Sequence, residues 1–278
     1  MPRIAAGEGE TAPGRPSYRP VLLAVAVATV GILPPFLTGG LAVQIRVELG
    51  FGAGALGLLV AVFFAASALF SVVSGRVVER IGSSRGMRLS ALTGACSMTA
   101  VAVLADSWWG LVACLVFGGL GNAVSHPSTH LLLAREVSPD RQGLAFGIKQ
   151  AAIPTATLLA GLAVPTLAVT AGWRWAFAVG AVLALVVALL VPRRGEDGYG
   201  HGIRRVGEAR AGDAPLAALA LLAVGIGLGS VAANPLGVFL VESAVDAGIG
   251  VGAAGLLLAL GGAVSVVVRV VFGRLADG

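Results

Sequence analysis

Three polar side chains recur along one face of an otherwise apolar stretch of this 278-residue sequence. Asn122, His126 and His130 are spaced at i, i+4 and i+8, and residues four apart lie on the same side of an α-helix. Pro127 lies in the same stretch and leaves one backbone carbonyl without its helical donor. The pattern predicts a helix that turns a polar face towards a cavity.

Lys149 and Gln150 lie near the start of the next apolar stretch and are the other groups that could bind a solute. At 1.5 Å per residue, His126 lies roughly 12 Å from the end of its stretch, and Lys149 lies about 8–10 Å from the start of the next one. Adjacent helices joined by a short loop usually pack together, so we expect these side chains to converge. The predicted substrate-binding residues here are Asn122, His126, Lys149 and Gln150.

Each of these residues also has an ordinary structural role. Lys149 and Arg269 could extend their long side chains to the membrane surface, and His130 lies near enough to the end of its stretch to be interfacial. A neutral His126 could instead hydrogen-bond a neighbouring helix, because polar side chains also hold membrane helices together. The sequence leaves these alternatives open.

Acidic residues are absent from the interior of every apolar stretch. The carboxylates near the stretches are Glu48, Asp106, Glu242 and Asp246 at one set of ends and Glu79, Glu136, Asp140 and Asp277 at the other. An ionisable group within a membrane is costly and marks a functional site. A lipophilic cation would normally need such a carboxylate, whereas Lys149 and His126 suit an anion. The sequence therefore favours a small anionic solute.

Other functional classes lack their motifs. No nucleophile with an adjacent base and no phosphate-binding motif is present. Cys96 and Cys114 have no histidine or second cysteine at metal-ligand spacing, and we expect both to be packing residues. We expect no enzyme activity, no cofactor and no metal.

The elements that position these side chains must lie in a membrane, since 57% of the residues are hydrophobic and only 12% are charged. Soluble domains have roughly 25% charged residues. Apolar runs long enough to cross about 30 Å of hydrocarbon as α-helices are numbered here as spans 1 to 8. They cover approximately residues 21–44, 53–74, 87–105, 109–134, 144–166, 174–191, 215–241 and 251–272. The predicted fold class is an all-α membrane protein, because the alternation of a β-barrel is missing.

Basic residues gather at alternate ends of the spans, as the positive-inside rule requires of cytoplasmic segments. We therefore expect a multi-pass protein of a bacterial cytoplasmic membrane with its N-terminus in the cytoplasm, and no nucleic-acid partner for the net charge of +5. Only Arg46 and Arg174 lie at the opposite, outer ends. The tryptophans expected to anchor that outer interface are Trp108, Trp109, Trp173 and Trp175.

A short motif occurs twice, 198 residues apart, after a long apolar run each time. The copies are Gly75-Arg76-Val77-Val78-Glu79 and Gly273-Arg274-Leu275-Ala276-Asp277. A solenoid repeats every 20 to 50 residues or so, so this longer period indicates two similar bundles. The predicted domains are a cytoplasmic tail at 1–20, a six-helix bundle at 21–191, a cytoplasmic linker at 192–214 and a partial second bundle at 215–278.

Helix breaks also recur between the two copies. Span 1 contains Pro34-Pro35, and span 7 contains Asn234-Pro235 at nearly the same register. Such breaks expose backbone groups that can line a cavity, and a simple kink between packed helices explains them equally well. Asn234 is the remaining predicted substrate-binding residue.

The motif after span 2 resembles the signature of the major facilitator superfamily of secondary transporters, Gly-x-x-x-Asp-Arg-x-Gly followed by basic residues. This chain has Gly75, Glu79, Arg80 and Gly82, with Glu in the place of Asp. The Gly-Trp-Arg-Trp-Ala-Phe run at 172–177 is also similar to the family. The resemblance implies two six-helix halves related by an axis along the membrane normal, with a substrate site near the midplane. It also implies a gating loop whose residues here are Gly75, Glu79, Arg80, Gly82, Gly273 and Asp277.

The resemblance implies secondary active transport by alternating access, with a small solute, the lipid bilayer and a coupling proton as partners. The alternatives are a proton-coupled multidrug exporter, a non-transporting membrane sensor and an inactive fragment. The chain stops one residue after Asp277, within the second copy of the motif. We therefore expect a truncation after span 8, with spans 9 to 12 missing.

Overall fold

The protein is described by a computed structural model over residues 18–138, 141–193, 221, 224–225 and 237–275. Helices α1 to α8 are Arg19–Gly40, Ala42–Leu49, Ala53–Ile81, Ser83–Leu104, Trp108–Glu136, Gln142–Lys149, Ala152–Ala163 and Trp173–Leu190, and α9 is Val251–Leu275. A π-helical turn at Val164–Ala168 follows α7, and residues 237–246 are also helical. No strand occurs in these ranges, so the all-α prediction is confirmed.

Seven helical stretches in the described residues are long and apolar enough to cross a membrane. They correspond to predicted spans 1 to 6 and to span 8. Most of span 7 lies outside the described residues, as do the tail at 1–17 and the linker from 194 to 214.

Helix α1 lies at the centre of the bundle and is buried along most of its length. It packs against α4, α5, α7 and α8, and its residues Leu33 and Phe36 share one apolar core with Phe63 of α3, Met98 of α4 and Phe177 of α8. In contrast, α3 buries a single narrow stripe. The central helix is therefore held on several sides, while large parts of the outer helices face the surroundings.

Predicted span 5 is not one continuous helix. Helix α6 ends at Lys149, residues 150–151 form a turn, and α7 begins at Ala152. Pro154 cannot donate a backbone hydrogen bond to the carbonyl of Gln150, four residues earlier, so the ladder is interrupted at this point. Pro165 likewise has no backbone N–H to donate to the carbonyl of Gly161, and it lies in the π-helical turn.

Helix α9, from the second copy of the repeat, packs along α6, α7 and the π-helical turn. Glycines permit the close approach: a Cβ on Gly262 would lie 2.6 Å from the backbone nitrogen of Leu158, and a Cβ on Gly255 would lie 2.5 Å from the Cβ of Val164. On α7, a Cβ on Gly161 would collide with the backbone of Ala259. The two copies of the repeat therefore meet through backbone contact.

Ionic pairs connect elements at the outer ends of the helices. Arg174 of α8 contacts Glu48 and donates to Asp106 Oδ1 at 2.9 Å, and Arg46 pairs with Glu242. Trp173 is buried and donates from Nε1 to Glu48 Oε2 at 2.5 Å. Trp173 was predicted to anchor the outer interface, but its ring packs inside the bundle and its N–H meets a carboxylate.

Candidate functional site

Lys149 lies between the two histidines of α5. Its Nζ atom is 2.9 Å from His130 Nε2 and 3.3 Å from His126 Nδ1. The Lys149 residue is only 2% exposed, whereas both histidines have exposed surface. The ring of His130 also packs edge-on against Phe146 of α6, with ring centroids 5.2 Å apart. We call Lys149, His126 and His130 the basic cluster.

With Lys149 as an ammonium, the contacts of the basic cluster determine which ring nitrogens carry protons. An ammonium group is a donor only, so both contacted ring nitrogens must accept. His126 then carries its proton on Nε2, and His130 carries its proton on Nδ1. Two of the three Lys149 N–H groups are used, which leaves one of them and the two imidazole N–H groups as donors for another molecule.

The helix break beside Lys149 exposes a backbone carbonyl. Because residue 154 is proline, the carbonyl of Gln150 has no helical donor. Arg269 of α9 donates to this oxygen from Nη1 at 2.6 Å. A second cation is thereby held one residue beyond Lys149, where α9 meets the first copy of the repeat.

Asn122 is not part of the basic cluster. It is buried, and its Nδ2 donates to Ser67 Oγ of α3 at 2.9 Å. A step of four residues turns a helix by 400°, so the face drifts by 40° per step and by about 80° between residues 122 and 130. The drift directs Asn122 towards α3, while His126 and His130 meet α6. The role of Asn122 in substrate binding stays a prediction.

The residues predicted as a gating loop are mostly helical. Gly75, Glu79 and Arg80 lie in the last turns of α3, which extends to Ile81, whereas the sequence placed the end of this span at 74. The connection is Gly82 alone, with φ 90°, a left-handed conformation that favours glycine. The apolar run ends before the helix does, because charged side chains are compatible with an exposed helical end. A gating role for these residues stays a prediction.

The second copy of the motif differs in its surroundings. A Cβ on Gly147 would lie 3.2 Å from Gly273 Cα, so α6 and α9 meet closely at this position. A Cβ on Gly75 would meet nothing within 4 Å in the described residues. Asp277 and Asn234 lie outside the described residues.

The sequence did not single out some of these contacts. Surface roles were among the alternatives for His130 and Arg269, whereas in the structure His130 contacts Lys149 and Arg269 contacts the Gln150 carbonyl. The signal for the second contact was Pro154, whose missing N–H identifies the free carbonyl. Within the described part of the chain, no group of three or more His, Cys, Asp or Glu residues could hold a metal ion.

The family model of the Major Facilitator Superfamily matches residues 21–278, nearly the whole chain. The chain belongs to the major facilitator superfamily. It is thus a multi-pass integral membrane protein with the fold that the repeat and the signature motif predicted. In this superfamily the substrate site lies at the interface of the two repeats near the bilayer midplane.

The chain is also similar to a protein that is named as a transporter of this superfamily. An MFS-type efflux pump of Mycolicibacterium smegmatis is 28% identical over 178 residues. The matched region covers 64% of this chain and 41% of the relative, so the chain aligns with less than half of that protein.

Proposed function

We propose that the protein is a secondary active transporter that works by alternating access and binds a small anionic solute at the basic cluster. The observation that carries this proposal is the position of Lys149 Nζ between His126 and His130. In the part of the chain that the structure describes, no salt bridge joins Lys149 to a carboxylate. A buried ammonium beside two imidazoles, each of which has an N–H group on its other nitrogen, is suited to a carboxylate or an inorganic anion.

The location of the cluster supports the same proposal. Lys149 ends α6 directly before the helix break, and discontinuous helices form the substrate sites of many secondary transporters. Arg269 reaches the adjacent Gln150 carbonyl from α9. A site at this point can bind the solute through both copies of the repeat, which alternating access requires.

We further propose that the α3 end, with Gly75, Glu79, Arg80 and Gly82, stabilises one state of the transport cycle. The equivalent Gly273 makes a close contact with α6, and the repeat predicts a matching contact for Gly75 with the other half. Transport by Glu79→Ala at the rate of the parent would contradict this role.

A coupling proton is consistent with the chemistry of the cluster. Lys149 Nζ lies within 3.3 Å of both imidazoles, so the three groups cannot all be cationic without strong repulsion, and binding of an anion favours uptake of a proton by the cluster. We propose that the proton and the anion bind together. We also propose that the N-terminus of the protein lies in the cytoplasm of a bacterial cell.

The decisive experiment measures ligand-induced thermal stabilisation of the purified protein in lipid nanodiscs. A ligand that binds only the folded state raises stability by RT ln(1 + [L]/Kd). We expect small carboxylates or inorganic anions to stabilise the parent and the Arg141→Gln variant, and to have no effect on Lys149→Gln. Arg141 is the matched control, because it loses the same charge at an exposed position on the cytoplasmic side. Equal anion binding by Lys149→Gln would overturn the proposal.

A proton-coupled multidrug exporter is the second candidate, because the relative in Mycolicibacterium smegmatis is named as an efflux pump. The same assay distinguishes the two functions. Stabilisation by lipophilic cations, unchanged in Lys149→Gln, would favour the exporter and exclude the basic cluster as its binding site.

A further inference from the structure

A groove of about 330 Å³ runs between α4 and α8, away from the basic cluster. Its α4 wall extends from Leu92 to Val103, and its α8 wall extends from Leu185 to Ala178. Apart from Thr99, its lining is apolar or cysteine, and both ends carry exposed hydrophobic side chains. Helix α9 packs on α6, α7 and the π-helical turn, so in the described residues the groove faces the bilayer.

A guanidinium group lies beyond the cytoplasmic end of this groove. Arg88 lies one helical turn before Leu92, on the same side of α4. It donates to the carbonyl oxygen of Val191 from Nε at 3.0 Å and from Nη2 at 2.7 Å. Within the described residues its Nη1 has no hydrogen-bond partner, and Arg193 is exposed two residues after Val191.

The groove starts near the level of Arg88 and follows α4 towards its outer end at Leu104. At 1.5 Å per residue, the groove begins about 6 Å from Arg88 and continues for roughly 16 Å. One leaflet contributes about half of the 30 Å hydrocarbon core. An acyl chain of the cytoplasmic leaflet would therefore lie in the part of the groove next to Leu92, with its headgroup at the level of the two arginines.

We propose that the groove between α4 and α8 is a binding site for an anionic phospholipid of the cytoplasmic leaflet. One acyl chain lies along the apolar walls, and the phosphate accepts hydrogen bonds from Arg88 and is attracted by Arg193. Guanidinium groups are suited to phosphate recognition because they are planar, always charged and rich in donors. The carbonyl of Val191 holds the Arg88 side chain in place before the lipid binds.

Native mass spectrometry can test the site. The protein is released from nanodiscs that contain equal amounts of phosphatidylglycerol and phosphatidylcholine with identical acyl chains, and the retained lipids are counted. We expect the parent to retain phosphatidylglycerol preferentially. Arg88→Gln should lower this retention about fivefold, the size of effect expected for one basic residue near an anionic surface.

Two further variants distinguish the contribution of the headgroup to lipid binding from that of the acyl chain. Arg88→Lys should keep part of the preference for phosphatidylglycerol, because it keeps the charge. Cys96→Trp should reduce retention of both lipids, because Cys96 is exposed in the groove and an indole would fill it. Arg141→Gln is the control for general surface charge and should change retention less than twofold.

Three results would overturn the proposal. Equal retention by Arg88→Gln and the parent would show that Arg88 binds no headgroup. Equal loss in Arg88→Gln and Arg141→Gln would show diffuse attraction to the surface. A dimer whose formation Cys96→Trp abolishes would show that a second copy of the chain covers the groove.

Discussion

Arg269 of α9 donates from Nη1 to the carbonyl oxygen of Gln150, and the two atoms are 2.6 Å apart. The carbonyl is available because Pro154 supplies no backbone N–H. A single proline thus creates an acceptor next to Lys149, and the second copy of the repeat provides its donor. The contact connects the helix break, the basic cluster and the interface between the repeats.

We expect the cost of Arg269→Gln to depend on Pro154. In the parent, the substitution should lower the free energy of unfolding by about 1–2 kcal/mol, near the lower end of the range for a hydrogen bond to a charged group. In a Pro154→Ala background the new N–H can bond the Gln150 carbonyl, so Arg269→Gln should cost much less. Denaturation of the four proteins in a double-mutant cycle measures the difference.

Pro165→Ala is the control for that cycle. It restores an N–H in the same span but supplies it to the carbonyl of Gly161, not to that of Gln150. Arg269→Gln should therefore retain its full cost in this background. Equal costs in the Pro154→Ala and Pro165→Ala backgrounds would contradict the proposed role of Pro154.

Gly262 and Gly261 provide a test of the contact between α7 and α9. A Cβ on Gly262 would lie 2.6 Å from Leu158 N and 2.8 Å from Pro154 O, whereas a Cβ on Gly261 would meet nothing within 4 Å among the described residues. Gly262→Val should destabilise the protein by about 1–3 kcal/mol through overpacking. Gly261→Val changes the same residue type one position away and should be tolerated. Equal thermal unfolding midpoints for both variants would contradict the close packing.

The sequence predicted the approach of His126 to Lys149 through simple geometry. The two residues lie at similar depths in consecutive antiparallel helices, and the structure places His126 Nδ1 3.3 Å from Lys149 Nζ. It did not predict the separation of Asn122 from this pair, because a spacing of four residues conceals the angular drift of a helix. Whether these contacts bind a solute remains a prediction.

The burial of side chains at the outer ends of the helices was less predictable from the sequence than the positions of the helices in the membrane. Arg46 and Arg174 are the two exceptions to the positive-inside pattern, and the structure pairs both with carboxylates. Their partners are distant in sequence, so no local pattern could identify them. The burial of Trp173 was unpredictable for the same reason, since an interfacial tryptophan and a buried one have the same neighbours in sequence.

Glu48 should make the stability of the protein depend on pH. Its hydrogen bond to Arg174, followed by that to Trp173, holds the pKa of this carboxyl below its ordinary value of 4.5. Because the pKa is lower in the folded state, the stabilisation is fully present above pH 4.5 and is lost as the pH falls through the folded-state pKa. The side chain of Glu48 is 47% exposed, so we expect only the modest contribution of a surface pair, about 0.2–1 kcal/mol.

Thermal unfolding of the parent and Glu48→Gln between pH 3 and pH 7 measures this contribution. At pH 7 the parent should be more stable than Glu48→Gln. This difference in stability between the two proteins should disappear towards pH 3. Asp246→Asn is the matched control, because Asp246 is an exposed carboxylate at the same outer end and has no part in the contacts of Glu48 with Arg174 and Trp173. A difference between parent and Glu48→Gln that stays constant over the whole range would exclude the linkage.

The pair of Arg46 and Glu242 should couple α2 to the helical segment at 237–246. The side chain of Glu242 is only 7% exposed, and its Oε2 atom has no hydrogen-bond partner in the described residues. Loss of Arg46 would leave a buried carboxylate without a counterion, and breaking a buried pair costs up to about 3–5 kcal/mol. Arg46→Gln should therefore be strongly destabilising, whereas Glu242→Gln should cost less because it removes the charge that needs a partner.

The double variant Arg46→Gln with Glu242→Gln separates this coupling from simple loss of contacts. It should be more stable than Arg46→Gln alone, because no unpaired carboxylate remains at the buried position. The free energy of unfolding of all four proteins, measured in the same nanodiscs, gives the coupling directly. Strictly additive costs would mean that the two side chains act independently, and the outer ends of the two repeats would then be held together by apolar packing alone.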